Sequence, residues 1–322
     1  MKPIVLFFVL ILFIFTFLGC QPRKESKRVS PPSRPSKPIS FDAFRTMEEK
    51  MATFKNQAEF QTGNAFYHTR FLSVDVGTRI EGTDKEKRAA EYIIGELQKA
   101  GYFVRTQQVP VPNGTVSQNI MVTKEGFSAK RIVIGAHYDA RGDSPGANDN
   151  ASGVGVLLEL ARAAKRQGLA PTIDFIAFGA EERIDENPDH HHYGSRHYVN
   201  SLSAEERDNV KGMITIDMVG AGSIFSIGSL EYAPKVLAER MIAFVQKSGI
   251  QTEYFKSAEL SDHEPFEKVG IPSAWVEWKP YSHTHSSEDS LDKIDPSKME
   301  TAGRAILDFL RDLDSQGLRS LR

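Results

Sequence analysis

Short apolar runs alternate with helical patterns over most of this chain, and this alternation restricts the possible fold more than any other feature. The runs are rich in β-branched and aromatic residues, as are strands buried on both faces of a parallel sheet. Strands that alternate with helices predict a three-layer α/β/α fold with a mostly parallel, doubly wound sheet and ligands beyond the strands' carboxyl ends. The four runs are Arg131 to Ala136, Ile173 to Phe178, Met213 to Ile216 and Ser273 to Val276.

The other elements are predicted from helical periodicity and turn residues. Asp84 to Ala100 is typical of an amphipathic helix, with Asp84 as its N-cap and Gly101 as its end. Tyr102 to Val109 and Val116 to Thr123 predict two strands joined by a hairpin-like turn. Further helices are expected around the stripe Val154, Leu157, Leu158 and Ala161, from Ala233 to Lys247 and from Met299 to Leu313.

The composition is that of an ordinary globular protein. Of 322 residues, 40% are hydrophobic and 25% charged, and the net charge of −2 gives no sign of a nucleic-acid binder. Because Cys20 is the only cysteine, the folded part has no disulfide and no thiolate ligand, so a metal site would have to use His, Asp and Glu. No linker-like composition recurs after residue 40, which predicts one domain over residues 41–322.

The first twenty residues are typical of an export signal. A short cationic start precedes an apolar stretch from Ile4 to Leu18, which is shorter than the about 20 residues of a spanning helix. Gly19 and Cys20 then resemble the end of a bacterial lipoprotein signal, in which cleavage leaves a lipid on Cys20; a plain signal peptide or an uncleaved anchor is the alternative. Residues 21–40 are rich in Pro, Lys and Arg and predict an extended tether. We therefore expect an exported protein that is lipid-anchored to the bacterial cell envelope.

Polar residues follow three of the apolar runs at the point where each run ends. His137 follows the first run, Glu181 and Glu182 follow the second, and Asp217 follows the third. We expect these side chains to converge, because the carboxyl ends of parallel strands meet at one edge of a sheet. Taken singly, each residue has an ordinary structural explanation, such as a core histidine or a turn aspartate. Their order along the chain is therefore the stronger evidence.

Six short motifs occur in order within residues 65–312. They are Gly135 to Asp139, Gly146 to Gly153, Gly179 to Glu182, Ile216 to Met218, Ser261 to Phe266 and His285 to Ser290. Together they resemble the zinc aminopeptidases of the bacterial leucyl-aminopeptidase type, a dinuclear zinc exopeptidase family that also contains glutaminyl cyclases. The resemblance implies the zinc-exopeptidase fold, two Zn²⁺ ions per chain and hydrolysis of the amino-terminal bond of peptide substrates.

The resemblance also implies a role for each polar residue. Asp149 would bridge the two zinc ions, with Glu182 and His285 on one ion and His137 and Asp217 on the other. Three protein ligands per ion leave a coordination position open for water. Glu181 would be the general base beside a metal-bridging hydroxide, and Asp139 would accept a hydrogen bond from His137 and fix its tautomer.

Three alternatives stay open at this point. Tyr193 to His197 also resembles glutaminyl cyclases, which use a single zinc ion to cyclise amino-terminal glutamine. Some relatives keep the fold as a non-catalytic ectodomain, although no ligand of the family set is missing here. His283 could replace His285 as the ligand, but Asp289 follows His285 at the family spacing.

Two further groups of residues near the proposed site are ambiguous. Arg183 to His192 is an insertion that ends in three histidines. It could be a lid or offer metal ligands, but we favour a solvated loop with a chance histidine run. The residues that could line a pocket for the first substrate side chain, or else belong to the core, are Ser261 to Phe266, Trp275, Trp278 and Tyr281.

Overall fold

The computed structural model describes residues 58–185, 187, 189–258 and 260–321, and all of these lie in one compact unit. The predicted signal segment, the tether and the start of the domain at residue 41 lie outside the described residues. Within the described ranges, every helix is too short or too polar to cross a membrane.

The centre of the described part is a mixed sheet of eight strands. The strands are β1 (Arg105–Pro110), β2 (Val116–Lys124), β3 (Ser128–His137), β4 (Pro171–Phe178), β5 (Val210–Ile216), β6 (Ile224–Leu230), β7 (Thr252–Ser257) and β8 (Ser273–Lys279). Their order across the sheet is β1-β2-β4-β3-β5-β8-β6-β7. The central strands β4, β3, β5 and β8 run parallel, whereas β1 with β2, β2 with β4, and β6 with β8 are antiparallel pairs. The predicted α/β fold with a largely parallel sheet is confirmed.

Helices precede, separate and follow these strands. The α-helices of the described part are α1 (Thr62–Arg70), α2 (Asp84–Lys99), α3 (Gly153–Ala164), α4 (Tyr193–Ser201), α5 (Ala204–Asn209), α6 (Val236–Lys247), α7 (His263–Lys268), α8 (Pro296–Asp312) and α9 (Ser315–Arg319). A π-helical turn, Phe71–Val76, and a 3₁₀ turn, Leu291–Lys293, complete the described helices. The segment Ala147–Ser152 is kinked, with non-helical backbone angles at Asp149 and Asn150, and leads directly into α3.

Two local predictions differ from the structure. The N-cap of α2 is Thr83, not Asp84, because the extended Thr83 accepts a hydrogen bond from the N–H of Glu86 at 3.3 Å. Asp84 lies in the first helical turn, where its charge complements the helix dipole. Strands β6 and β7 were not predicted, because serine and glycine interrupt β6 and β7 is mostly exposed and polar.

Helices cover both faces of the sheet, as successive side chains of β3 show. Ile132 and Ile134 belong to a large core that also contains side chains of α3, α6 and α8. Val133 points to the opposite face, where it belongs to a second core with side chains of α4 and α7. The sheet is therefore doubly wound, as predicted.

Arg79 is fully buried and ties three backbone segments together near the carboxyl edge of the sheet. Burial lowers the pKa of Arg79 to about 10, against the opposing charges of Asp139 and Asp289, so the guanidinium stays charged at neutral pH. It donates to the carbonyl oxygens of Leu72 (3.0 Å), Gly77 (2.9 Å), Tyr138 (2.7 Å), Pro145 (2.8 Å) and Gly146 (3.0 Å).

We expect Arg79→Lys to destabilise the fold, because an ammonium group cannot reach all five carbonyls and would leave some of them buried without a donor. The free energy of unfolding should fall by about 3 kcal/mol, as for lost hydrogen bonds to a buried charge. Arg304→Lys is the matched control, because Arg304 pairs with Glu300 on the exposed face of α8 and should change stability by less than about 0.5 kcal/mol. Urea unfolding measures both, and equal midpoints would contradict the prediction.

Candidate metal centre

The polar residues that follow the central strands converge at one edge of the sheet. His137 is the last residue of β3, while Glu181 and Glu182 follow β4 and Asp217 follows β5. Strands β3 and β4 are parallel, with His137 opposite the last residue of β4. These side chains are at most 7% exposed. The predicted convergence is therefore present, in a buried setting.

Asp149 lies between two groups of side chains. Its Oδ1 is 3.2 Å from Nε2 of His137, and the same nitrogen is 3.5 Å from Oδ1 of Asp217. Its Oδ2 is 3.2 Å from Nε2 of His285, which is 3.1 Å from Oε2 of Glu182. Each oxygen of Asp149 thus faces its own histidine and its own second carboxylate. The two groups have only Asp149 in common.

Both groups have the chemistry of a cation site. Each offers one imidazole nitrogen and carboxylate oxygens, which are ligand types that zinc prefers. Among the described side chains, Oε1 of Glu182 and Oδ1 of Asp217 are buried without a hydrogen-bond partner. Buried polar atoms are normally paired, so bound cations would satisfy these oxygens. The residues present therefore fit a metal centre.

Without a cation, protons on the histidines offset the charge of the carboxylates. Burial alone would lower the pKa of His137, but the charge of Glu181 and other carboxylates holds it well above its usual value. Hydrogen bonds to Asp149 and Glu182 raise the pKa of His285 to about 10. Burial, reinforced by the charge of Asp149, raises the pKa of Glu182 to about 8. A divalent cation that binds here would displace protons from these groups.

The residues next to Asp149 hold the backbone that carries Asp217. Three side chains of the motif Gly146 to Gly153 form hydrogen bonds to the segment at the end of β5. The bonds are Asn150 Nδ2 to Ile216 O (2.8 Å), Met218 N to Asn150 Oδ1 (3.3 Å), Val219 N to Ser152 Oγ (3.0 Å) and Gly220 N to Asn148 Oδ1 (2.8 Å). The motif therefore supplies Asp149 and also positions Asp217.

Asp289 fixes the backbone of Asp149 from the opposite side. Its carboxylate accepts the N–H groups of Asn148 at 2.8 Å and Asp149 at 3.0 Å. The Tyr281 hydroxyl donates to the same carboxylate at 2.8 Å, so this tyrosine supports the centre, whereas the sequence left it as a pocket residue or core. Asp289 thereby links the segment that carries His285 to the rest of the centre.

Asp139 was expected to orient His137. Its carboxylate instead accepts hydrogen bonds from the backbone of the turn after β4. Its Oδ1 accepts the N–H of Glu181 at 3.1 Å, and its Oδ2 accepts the N–H of Glu182 at 3.0 Å. Its distance to Nδ1 of His137 is 3.5 Å, which is too long for a well-formed N–H···O bond. Ala180, just before the turn, has a left-handed φ of 52°. Asp139 therefore holds the backbone that presents both glutamates.

The insertion Arg183 to His192 is exposed at Asp185, Asn187 and Asp189, as favoured from the sequence, but its last two histidines are buried. It returns to its own start, because the N–H of His192 donates to the carbonyl of Glu181 at 2.7 Å. The His192 ring is 2% exposed, with Nε2 at 2.9 Å from Oε1 of Glu181 and Nδ1 at 2.6 Å from Oε2 of Glu264. Of the three histidines in the insertion, only His190 is partly exposed, at 35%, and it pairs with Asp185. The sequence carried no local signal for this, because Glu264 is 72 residues away.

Several charges surround His192. Burial alone would lower its pKa, but the charge of Glu181 and its hydrogen bonds to Glu181 and Glu264 raise the pKa to about 9. Burial would raise the pKa of Glu264, yet His192, Lys268 and Arg196 hold it well below its usual range. The Arg196 guanidinium is 3.2 Å from Oε1 of Glu264, and the Lys268 ammonium contacts the same oxygen. Glu264 is therefore a carboxylate held by three cationic side chains.

A cavity opens over the centre and is lined by its histidines and carboxylates, together with Met218 and Trp275. Of the pocket residues expected from the sequence, Trp275 lines this cavity. Ser261 instead donates its hydroxyl to Oδ2 of Asp217 at 2.7 Å, and the Trp278 indole donates to a backbone carbonyl in α8. Fewer of the expected pocket residues therefore line the cavity than the sequence suggested.

His285, not His283, faces the centre. Nε2 of His285 approaches both Asp149 and Glu182, whereas Nδ1 of His283 pairs with Glu288 at 2.7 Å. His285 is 42% exposed, which makes it the most accessible of the predicted ligands. The family spacing favoured His285 over His283, and His285 is also the histidine that faces the centre.

A doubly wound sheet with histidines and carboxylates at the carboxyl edge of its parallel strands is the arrangement of the zinc-exopeptidase class. Comparison with known proteins gives the family. The model of peptidase family M28 matches residues 119–310, and the chain belongs to this family.

Two curated relatives show how much of the chain is shared. The chain is 35% identical over 202 residues to aminopeptidase YwaD from Bacillus subtilis, an alignment that covers 58% of this chain and 42% of that protein. It is 32% identical over 201 residues to leupeptin-inactivating enzyme 1 from Streptomyces exfoliatus, which covers 61% and 43%. The chain thus spans less than half the length of either relative.

Solved structures support the same fold. A zinc aminopeptidase from Bacillus subtilis superposes with a TM-score of 0.73 at 21% identity, over 80% of this chain and 96% of that one. A glutaminyl cyclase from Bacteroides thetaiotaomicron superposes with a TM-score of 0.68 at 25% identity, over 79% and 98%. The zinc-exopeptidase fold predicted from the sequence is confirmed, and this fold is shared by aminopeptidases and cyclases.

Proposed function

We propose that this chain is a zinc-dependent aminopeptidase that hydrolyses the amino-terminal bond of peptides. The observation that carries this proposal is the position of Asp149, whose two oxygens face two separate groups of a histidine and a carboxylate. Such an arrangement fits two zinc ions that share one carboxylate. Membership of peptidase family M28 and the aminopeptidase relatives support the reaction class.

The residues that would hold the two ions form two sets, and Asp149 belongs to both. His137 and Asp217 would complete one set of ligands, and Glu182 and His285 the other. When bound, zinc supplies Lewis-acid polarisation of a carbonyl group and lowers the pKa of water. Asp139 and Asp289 would support the ligands and not bind zinc, since their oxygens accept backbone N–H groups that hold the ligand segments.

Glu181 would move the proton. Its Oε1 is bound to His192, and its Oε2 is 3.9 Å from Nε2 of His137, on the side of the proposed ligands. It would accept a proton from the attacking water at Oε2 and deliver this proton to the leaving amine. No zinc is needed on Glu181 for this role, because its neighbour Glu182 supplies the ligand oxygen.

The alternative reaction is cyclisation of amino-terminal glutamine by a single zinc ion. Glutaminyl cyclases are among the structural neighbours, at 21–26% identity. A cyclase and an aminopeptidase both bind a free amino terminus, so the cavity alone does not separate them. The complete second group of ligands around His137 favours the hydrolase. A non-catalytic module would have no use for an oriented Glu181.

Metal content and substrate choice test the proposal together. We expect two zinc ions per purified chain, loss of hydrolysis on chelation and recovery on adding zinc. An aminoacyl-nitroanilide should be hydrolysed, an amino-terminal glutamine peptide should not be cyclised, and a carboxypeptidase substrate should stay intact. One zinc ion with cyclisation of glutamine and no hydrolysis would replace this proposal by the cyclase.

Two neighbouring variants test the division of roles between the glutamates. Glu181→Gln should keep both zinc ions while kcat falls by about 1,000-fold, because a general base typically contributes 10²–10⁴. Glu182→Gln is the matched control and should lower zinc affinity, since it removes a ligand. Full activity in Glu181→Gln would remove Glu181 from the mechanism, and zinc loss in that variant would show that the two roles are exchanged.

We also propose that the chain is exported and held at the cell envelope by a lipid on Cys20, with the following basic segment as a tether. The sequence alone supports this. We expect radiolabelled palmitate to label the wild-type chain and the detergent phase to retain it. Cys20→Ser should abolish labelling, and an unlabelled wild-type chain would contradict the proposal.

A further inference from the structure

His192 lies where the inserted loop brings it against the side of Glu181 that faces away from the proposed metal ligands. Its Nε2 is 2.9 Å from Oε1 of Glu181, and its Nδ1 is 2.6 Å from Oε2 of Glu264. Both partners are at most 7% exposed, so water does not compete for these contacts. The imidazole donates to both carboxylates when both of its nitrogens are protonated. Glu181 is thereby held through one oxygen only.

Glu264, the second partner of His192, is itself held by two further cationic side chains. Glu264 lies in the short helix α7, and its Oε1 contacts Lys268 of the same helix and Arg196 of α4. The backbone of the loop is also closed at its base, because the N–H of Tyr193 donates to the carbonyl of Ala180 at 2.8 Å. The position of the His192 ring is therefore fixed by its backbone and by Glu264 together.

We propose that His192, anchored by Glu264, is a positioning residue that holds Oε1 of Glu181 and leaves Oε2 free to exchange the proton. This inference rests on the proposed role of Glu181 as the general base. A carboxylate that rotates freely presents either oxygen, whereas one fixed by a charged donor presents a single oxygen in a constant orientation. The insertion that carries His192 would thus contribute to the reaction through Glu181.

A third cation site is the competing interpretation of the same side chains. His191, His192 and Glu264 place ligand atoms close enough to hold an ion. However, Arg196 and Lys268 already pair with Glu264, and a cation would meet their repulsion. Both ring nitrogens of His192 also already contact carboxylate oxygens, which leaves no lone pair on that ring for an ion. The charges therefore favour a hydrogen-bonded network over a metal.

Two substitutions of His192 separate its two hydrogen bonds. The amide nitrogen of glutamine reaches the position of Nε2, so His192→Gln keeps the donor to Glu181. The amide nitrogen of asparagine reaches the position of Nδ1, so His192→Asn keeps only the donor to Glu264. We expect His192→Asn to lower kcat about 10- to 100-fold, the usual effect of losing an orienting partner, with KM changed less than about twofold. His192→Gln should stay within about threefold of wild type.

Zinc content should be unchanged in both variants, and this readout does not depend on activity. His190→Asn is the matched control, because His190 lies in the same loop but pairs with Asp185 and not with Glu181; its kcat should equal that of the wild type. Equal losses in the glutamine and asparagine variants would overturn the proposal. Loss of a bound ion in His192→Asn would instead identify a third cation site.

A double-mutant cycle separates this inference from the proposed function. In the Glu181→Gln background, His192→Asn should cause no further loss, because the two residues act as one unit. A further loss would show that His192 acts elsewhere. If Glu181→Gln alone is fully active, the proposed function fails whatever His192 does. If His192→Asn does not fold, Glu264→Gln replaces it, with a smaller loss of kcat that is absent in the Glu181→Gln background; no loss would overturn the proposal.

Discussion

The crowding of buried negative charge at one edge of the sheet is the constraint around which this structure is built. Asp149, Glu181, Glu182 and Asp217 lie together and are at most 7% exposed. Ionised carboxylates in such a setting are unfavourable unless they are paired or bind a metal. The two histidines, with their raised pKa values, provide part of the compensation, and the donor set shows where cations would provide the rest.

The surrounding residues stabilise the geometry of this centre without facing its cavity. Asp139 and Asp289 each accept two backbone N–H groups, from the turn of the paired glutamates and from the segment of Asp149 respectively. Arg79 lies among these carboxylates and binds backbone carbonyls on three segments. These three charged side chains thus form hydrogen bonds mainly with backbone groups. The ligand segments are held in place from outside, so the ligand oxygens remain available to cations.

Much of the fold and most of the centre could be predicted from the sequence, because the relevant signals are local. The central strands are continuous apolar runs, and the residue after each run must lie at the carboxyl edge whatever the details of packing. Strands β6 and β7 lacked that signal. The cap of α2 was misplaced by one residue, since Thr83 and Asp84 are both good N-caps and only the backbone angle distinguishes them. The ordered motifs added the pairing of ligands that periodicity cannot give.

The sequence by itself determined the fold class and which residue types meet at the strand ends. The resemblance carried by the ordered motifs already implied that Asp149 is shared between His137 and His285. Only the tertiary structure decided that His192 is buried between Glu181 and Glu264. The physical reason is the range of the interactions. Apolar periodicity and strand ends are set by neighbours in sequence, whereas a hydrogen bond between side chains 72 residues apart depends on how a loop closes and how two helices pack. A run of three histidines has the same sequence pattern in solvent and in a buried network.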